Sequence, residues 1–317
     1  MFKKNILTKK NLKNYLAEYG LYMGLLVIIV FFSISSPHFL KISNLMNIVR
    51  QVSIIGVIAS GMTFVILMGD FDLSVGSLVA LSGVIAALIQ VEIGMNSAFS
   101  VLITLFIVTL FGVINGILIV KLNVPAFVTT LGMMSAARGL ALIISDGYPI
   151  SGLNKGFRQI GAGYIFNIPT PIIIYVLSIV ISYIVLSKTK FGRLIYGIGG
   201  NLEAVELSGI DADKYRIIVF AISAFAAALS GIILAGRINS GQPTAGTGFE
   251  LEVISAVVIG GTSLSGGKGG VIGTFFGAML VGILGNGFNL LGISSFYQQL
   301  VQGIVIVIAV MVDQIRE

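Results

Sequence analysis

The sequence predicts an all-α polytopic membrane protein of about ten transmembrane helices, and three observations carry that prediction. Of 317 residues, 56% are hydrophobic and only 10% are charged, against roughly 25% charged in an ordinary soluble domain. Mean hydropathy is +1.03. Apolar runs of about 20 residues, long enough to cross a hydrocarbon layer as a helix, recur from end to end. Backbone in lipid must satisfy its own hydrogen bonds, so runs of this length span as helices. The chain reads as a single transmembrane domain over 1–317.

In chain order the spans fall near 20–36, 48–68, 73–89, 98–120, 125–144, 169–187, 216–235, 251–263, 271–290 and 296–313. Lysines precede the first span, and SISSPHFLKIS after it offers no A-x-A cleavage site, so this span reads as an uncleaved signal anchor. Charge sets orientation. With the N-terminus inside, thirteen basic residues face the cytoplasm, and Lys41, Arg50, Lys155, Arg158 and Arg237 face out. This satisfies the positive-inside rule and makes both termini cytoplasmic. The segment 188–216 is then a cytoplasmic loop. It holds Lys188, Lys190, Arg193, Lys214 and Arg216 with Glu203, Glu206, Asp211 and Asp213, the one sizeable polar surface of the chain.

Several function classes drop out on composition. The chain has no cysteine and a single histidine, His38, which removes thiolate chemistry and a histidine-based metal or acid–base cluster. The net charge of +6 sits beside spans and expresses orientation, with no nucleic-acid partner implied. GTSLSGGKGG fails as a P-loop: Thr262 stands where the first glycine belongs and Gly269 follows Lys268. Any energy source lies on another chain or in an ion gradient.

Glycine-rich stretches interrupt the pattern twice, at Gly69–Ser77 (GDFDLSVGS) and Gly260–Gly270 (GGTSLSGGKGG), the second after an unusually short eighth span. Aligned on their Leu-Ser pairs they form a weak repeat. Such paired interruptions mark broken or re-entrant helices beside a transport path; they also occur as ordinary turns. Pairs of glycines four apart, Gly112/Gly116 and Gly273/Gly277, read as close-packing faces.

Ionisable residues at membrane depth are expensive and therefore informative. Arg138 reads either as a gate or as a structural pair with a carboxylate or carbonyls. Asp70 and Asp72 sit at a cytoplasmic span junction, where Asp72 can cap the next helix. Glu250 and Glu252 open the eighth span, where carboxylates complement the helix dipole. Asp72, Arg138 and Glu250 are the gate-or-structural candidates. The amides Asn115, Gln242, Asn286 and Asn289 are candidates for the translocation path, since amides both donate to and accept from hydroxyls, or else interhelical ties.

GQPTAGTGFELE at Gly241–Glu252, AVVIGGTSLSGGKGG, GNGFNLLGISSFYQQ, GMTFVILMGDFDLSVGSLVALSG at Gly61–Gly83 and FGRLIYGIGGNLEAVELSGI at Phe191–Ile210 resemble the monosaccharide branch of the binding-protein-dependent permeases of ABC importers, the ribose permeases in particular. The likeness covers nearly the whole chain. It implies a multi-pass protein of the cytoplasmic (inner) membrane that carries sugar without an ATPase site of its own. The same likeness implies that the chain binds no cofactor and that ATP is hydrolysed by a cytoplasmic ATP-binding subunit. The further partners implied are a periplasmic or lipid-anchored sugar-binding protein, a second permease chain forming a homodimer, a monosaccharide and the lipid bilayer.

The same resemblance implies that Gly200, Asn201, Leu202, Glu203, Ala204, Val205, Glu206, Leu207, Ser208, Gly209, Ile210 and Asp211 dock on the ATPase. The residues agree: Asn201 can cap a short helix from Leu202, Glu203 lies in its first turn, and Gly209 can end it. Leu202, Val205 and Leu207 would supply the apolar face. Two features depart from the pattern. Asp70 stands where a small or neutral residue is usual, and the external segment Ser145–Pro169 is shorter than expected. A secondary transporter driven by an ion gradient is the alternative reading; it needs coupling-ion ligands at the midplane, whereas the carboxylates sit near span ends. A membrane enzyme finds no catalytic constellation.

Overall fold

The computed structural model describes residues 9–294, 296–301, 303, 304, 307 and 311. Its elements are α1 (Lys9–Ser35), α2 (Ile42–Leu67), α3 (Val75–Val91), α4 (Ser97–Lys121), α5 (Ala126–Ile144), β1 (Ile150–Ser151), α6 (Lys155–Ala162), β2 (Tyr164–Ile165), β3 (Ile168–Pro169), α7 (Thr170–Lys188), α8 (Lys190–Gly200), α9 (Leu202–Leu207), α10 (Ala212–Ile238), β4 (Ser240–Gly241), α11 (Phe249–Ile259) and α12 (Val271–Leu290). Among the described residues six helices (α2, α4, α5, α7, α10 and α12) are long and apolar enough to cross a membrane, while Gly20–Ser35 of α1 and all of α3 are shorter apolar helices. The expected span at 296–313 lies partly outside the described residues, and Lys3 and Lys4 of the signal anchor lie wholly outside them.

Hydrophobic pattern decides which helices are central. α2 is buried from Val52 through Leu67, and α3 from Val75 through Ala87. α10 packs along α2, α3 and α4. The outer helices bury a single stripe. On α4 it is Ser100, Thr104, Val108, Gly112 and Asn115, at helical spacing, while Phe99, Leu102, Phe106 and Leu110 are exposed. An apolar outer face of this kind suits lipid. Lipid tails give helices no hydrophobic reason to associate, so close backbone approach takes over. A Cβ on Gly112 would lie 2.3 Å from the Phe220 carbonyl oxygen, and one on Gly116 2.6 Å from Ile217 Cα. Gly273 and Gly277 similarly admit the Gly260 and Ala256 carbonyls, at 1.9 and 2.0 Å from where their Cβ would be. These two pairs set the α4–α10 and α11–α12 crossings.

The 19 residues of α7, about 28 Å of helix, separate two differently built ends. At one, β1 pairs antiparallel with β4 (Ile150 opposite Gly241), and β2 and β3 form a hairpin. Its turn residues Phe166 and Asn167 both have positive φ, the two-residue geometry that matches strand twist. Phe157 of α6 joins Ala86, Ala87, Leu153, Ile232 and Ala235 in a small separate core. The segment Ser145–Pro169 is therefore ordered by short strands and by the amphipathic helix α6. At the other end lie α8, α9 and the first turn of α10.

α11 has only 11 residues, roughly 16 Å of helix. The eighth span, expected over 251–263, is thus not a spanning helix. It is a half-length helix between two irregular stretches, because Gly260 and Gly261 end it early and Gly248, at φ +86°, stops it from extending backwards. The expected limits of the other spans shift by a few residues, except at the start of the first, where α1 begins at Lys9, and of the second, where α2 begins at Ile42.

Candidate functional site

The break after α2 runs inward. A Cβ on Gly231 would meet the Val79 carbonyl, and one on Gly83 lies near Ala235, so α3 runs parallel to the second half of α10. Asp72, at 0% exposure, reaches Ser223, whose hydroxyl donates to Oδ2 at 2.7 Å. Ser223 is eleven residues into α10, about 16 Å from its start. Asp72 therefore sits deep in the protein rather than at a surface junction. Nor does it occupy the cap position of α3, which is Ser74. Its Oδ1 accepts the Ser74 amide at 3.0 Å and the Ser74 hydroxyl at 2.5 Å. Asn115 Nδ2 completes the cluster by donating to Ser74 Oγ at 3.2 Å. A buried carboxylate is tolerable when its oxygens accept hydrogen bonds, and Asp72 accepts three.

Asp70, two residues earlier, faces the α9 end. Arg216 holds it in a bidentate pair, with Nη2 at 3.1 and 3.0 Å from the two oxygens and Nε at 3.1 Å from Oδ2. A two-pronged guanidinium–carboxylate contact fixes orientation as well as charge. The first turn of α10 is thus tied to the break after α2. Lys121 and Asp213 form a second ion pair at this end, at 3.1 Å, but more exposed.

The stretch before α11 also lies at depth. Arg138 of α5 donates from Nη1 to the Pro243 and Ala245 carbonyls, both at 2.7 Å, so its charge serves loop carbonyls. Glu250 opens α11 with its carboxylate against α3: a Cβ on Gly76 would lie 2.3 Å from Oε2 and 2.4 Å from the Gly246 oxygen. Gly76 is required by that close approach. Gln242 lines a narrow gap between α3 and α10. Asn286 and Asn44 exchange side-chain hydrogen bonds at 3.0 Å, and Asn289 accepts from Gln298 at 2.8 Å. Asn115, Asn286 and Asn289 are thus each engaged by another side chain.

The glycine-rich segments meet. The Gly267 amide donates to the Leu67 carbonyl at 2.8 Å. A Cβ on Gly199 would lie 1.8 Å from that same oxygen, and one on Gly266 2.9 Å from the Gly69 nitrogen. The end of α2, the end of α8 and the loop after α11 therefore touch backbone to backbone, with α9 next in the chain. Asn201 caps α9, accepting from the Ala204 amide at 2.9 Å, Glu203 lies in the first turn, and Gly209 has φ +78°. No residue of α9 is buried. Leu207 is 82% exposed and Leu202 38%. Val205 differs: it packs against the core, with Gly197 of α8 beneath it, so the free apolar face is Leu202 and Leu207.

One cleft of about 170 Å³ opens beside α2, α11, the second half of α12 and residues 298–301. Gln51, Glu252, Ser255, Gln298 and Gln299 reach it against an apolar wall that includes Ile55 and Phe288. Sequence reading placed Glu252 only at a helix start and did not single out Gln51 or Ser255; the signal, an amide and a carboxylate 201 residues apart, appears only once α2 and α11 pack.

A family model described as "branched-chain amino acid transport system / permease component" matches residues 44–310. The chain is 46% identical to the ribose import permease protein RbsC of Bacillus subtilis (strain 168), over 93% of this chain and 92% of that protein. It is 44% identical to RbsC of Escherichia coli (strain K12), over 96% of each chain. It is 38% identical to the L-arabinose transport system permease protein AraH of the same organism, over 95% of this chain and 91% of that protein. No solved structure matches the chain.

Proposed function

The chain belongs to the permease-component family that matches residues 44–310, and on that premise we propose that it is the membrane subunit of an ABC importer for ribose. Ribose import permeases are 46% and 44% identical to it over nearly full length, and an arabinose permease is 38% identical. It is a multi-pass protein of the cytoplasmic membrane. Two copies pair around the path, a separate ATPase subunit binds and hydrolyses ATP, and an extracytoplasmic binding protein delivers the sugar. The α8–α9 end faces the cytoplasm with both termini.

The observation that carries the coupling role is α9: a capped helix with Leu202 and Leu207 exposed beside the backbone contacts of Gly199, Leu67 and Gly267. Leucines left bare on a short surface helix suit a partner's groove. A push on α9 reaches α2 and the loop before α12 with no side chain between to absorb it. Through Arg216 and Asp70 the same push reaches the break that leads to Asp72.

Reconstitution tests the reading. In proteoliposomes, radiolabelled ribose uptake requires this chain, the ATPase, ATP and the binding protein together. Robust uptake by this chain alone under an ion gradient would sink the importer reading and leave the secondary-transporter alternative.

A further inference from the structure

The cleft between α2, α11 and α12 contains an ionisable residue whose place in the first turn of α11 suits the helix dipole but whose side chain no hydrogen bond or ion pair holds among the described residues. Glu252 lies on the helix α11 and lines the cleft, and neither its side chain nor that of Gln51 has a hydrogen-bond or ion-pair partner among the described residues. Asp72 and Asp70, by contrast, are fully engaged. An unpartnered carboxylate within a membrane protein is costly and persists where it has a task.

We propose that this cleft is a contact site for the sugar in transit through the permease, with Glu252 and Gln51 as its hydroxyl-binding groups. The inference rests on the importer reading and deepens it. A sugar hydroxyl donates one hydrogen bond and accepts others. Glu252 accepts, and the Gln51 and Gln299 amides do both. Gln298 is already oriented, its Nε2 donating to Asn289 Oδ1 at 2.8 Å and to the Ile293 carbonyl at 3.2 Å, which leaves its carbonyl oxygen to accept. Mixed donors and acceptors suit a polyol, whereas a bare cation calls for oxygens alone. Ile55 and Phe288 supply an apolar wall for the C–H face of a ring. At about 170 Å³ the space falls below the roughly 300–1,000 Å³ of drug-sized pockets and suits one small sugar.

Gly285 provides a sharp test. It lines the cleft, and a Cβ there meets nothing within 4 Å, so a side chain can be added at the cleft wall with no clash at Cβ. The complete importer is reconstituted in proteoliposomes with Gly285→Leu, Glu252→Leu or Glu252→Gln, and ATP-dependent uptake of radiolabelled D-ribose is measured. Monodispersity and ATPase co-purification report folding and assembly. Gly285→Leu and Glu252→Leu lower the uptake rate at least tenfold in assembled complexes, and Glu252→Gln, which keeps a hydrogen-bonding oxygen, lowers it less. Uptake within twofold of wild type for Gly285→Leu in an assembled complex overturns the cleft as a contact site. Failure of the wild-type complex itself to take up ribose overturns the importer reading instead, so the two failures are distinguishable.

Discussion

Among the described residues, Arg216 and Asp70 form an ion pair that bridges the first turn of α10 and the break after α2 and can be cut by a single substitution. Their side chains are 23% and 14% exposed, so each charge is largely out of water. Removing one partner of a fully buried ion pair costs about 3–5 kcal/mol, most of it from stranding the other charge. Residual exposure lowers that figure here, to about 2–3 kcal/mol for Asp70→Ala. Arg216→Met, which keeps an apolar stem of similar length, strands Asp70 and costs a comparable amount. The double variant strands nothing, and its cost falls well below the sum, with a coupling energy of about 2 kcal/mol. The chain contains no tryptophan, so unfolding is followed by far-UV circular dichroism during SDS titration of the detergent-solubilised protein. A cost below about 0.5 kcal/mol for Asp70→Ala, the level of an exposed pair, or strict additivity of the two substitutions would refute the claim that this pair is buried and coupled.

Three further outcomes follow from the packing. Gly277→Leu places side-chain atoms where the Ala256 carbonyl lies 2.0 Å from the Cβ position, and it abolishes monodisperse expression; a normal elution profile contradicts the α11–α12 crossing. Asp72→Leu removes the acceptor for the Ser74 amide and hydroxyl and the Ser223 hydroxyl and destabilises by about 3 kcal/mol or more, while Asp72→Asn, which keeps one carbonyl acceptor, costs less in the same SDS titration. Gly209→Val forces a β-branched residue into φ +78°, strained by about 1–3 kcal/mol; together with Glu203→Lys it lowers ATPase co-purification while leaving the permease monodisperse.

What could be read in advance was what short-range chemistry decides. Asn201, Glu203 and Gly209 mark the start and end of α9 within nine residues, and the helix forms between them. Gly112 and Gly116 declare a packing face because they are one helical turn apart. Where the partner is distant, the signal vanishes. Asp72 looks like a helix cap until Ser223, 151 residues away, is brought against it. Val205 looks like part of an exposed face until Gly197 makes room beneath it. The four amides are conspicuous as polar residues in apolar runs, but their surroundings depend on tertiary contact: Asn115 is spoken for by Ser74 and Asn286 by Asn44. The cleft is the extreme case, since Gln51, Glu252 and Gln298 come from three separate stretches of chain.

The central claim is that energy enters at α9 from a separate ATPase, and site-directed cross-linking tests it most directly. The chain has no native cysteine, so Leu207→Cys, at an 82% exposed position, carries the only thiol, and Phe166→Cys, 95% exposed on the hairpin at the other end, is its control. Each is labelled with a thiol-reactive photo-cross-linker in the assembled importer. The account predicts that the ATPase subunit is captured from position 207 and not from 166. Capture from 166, or none from 207 in a complex that still transports, contradicts it.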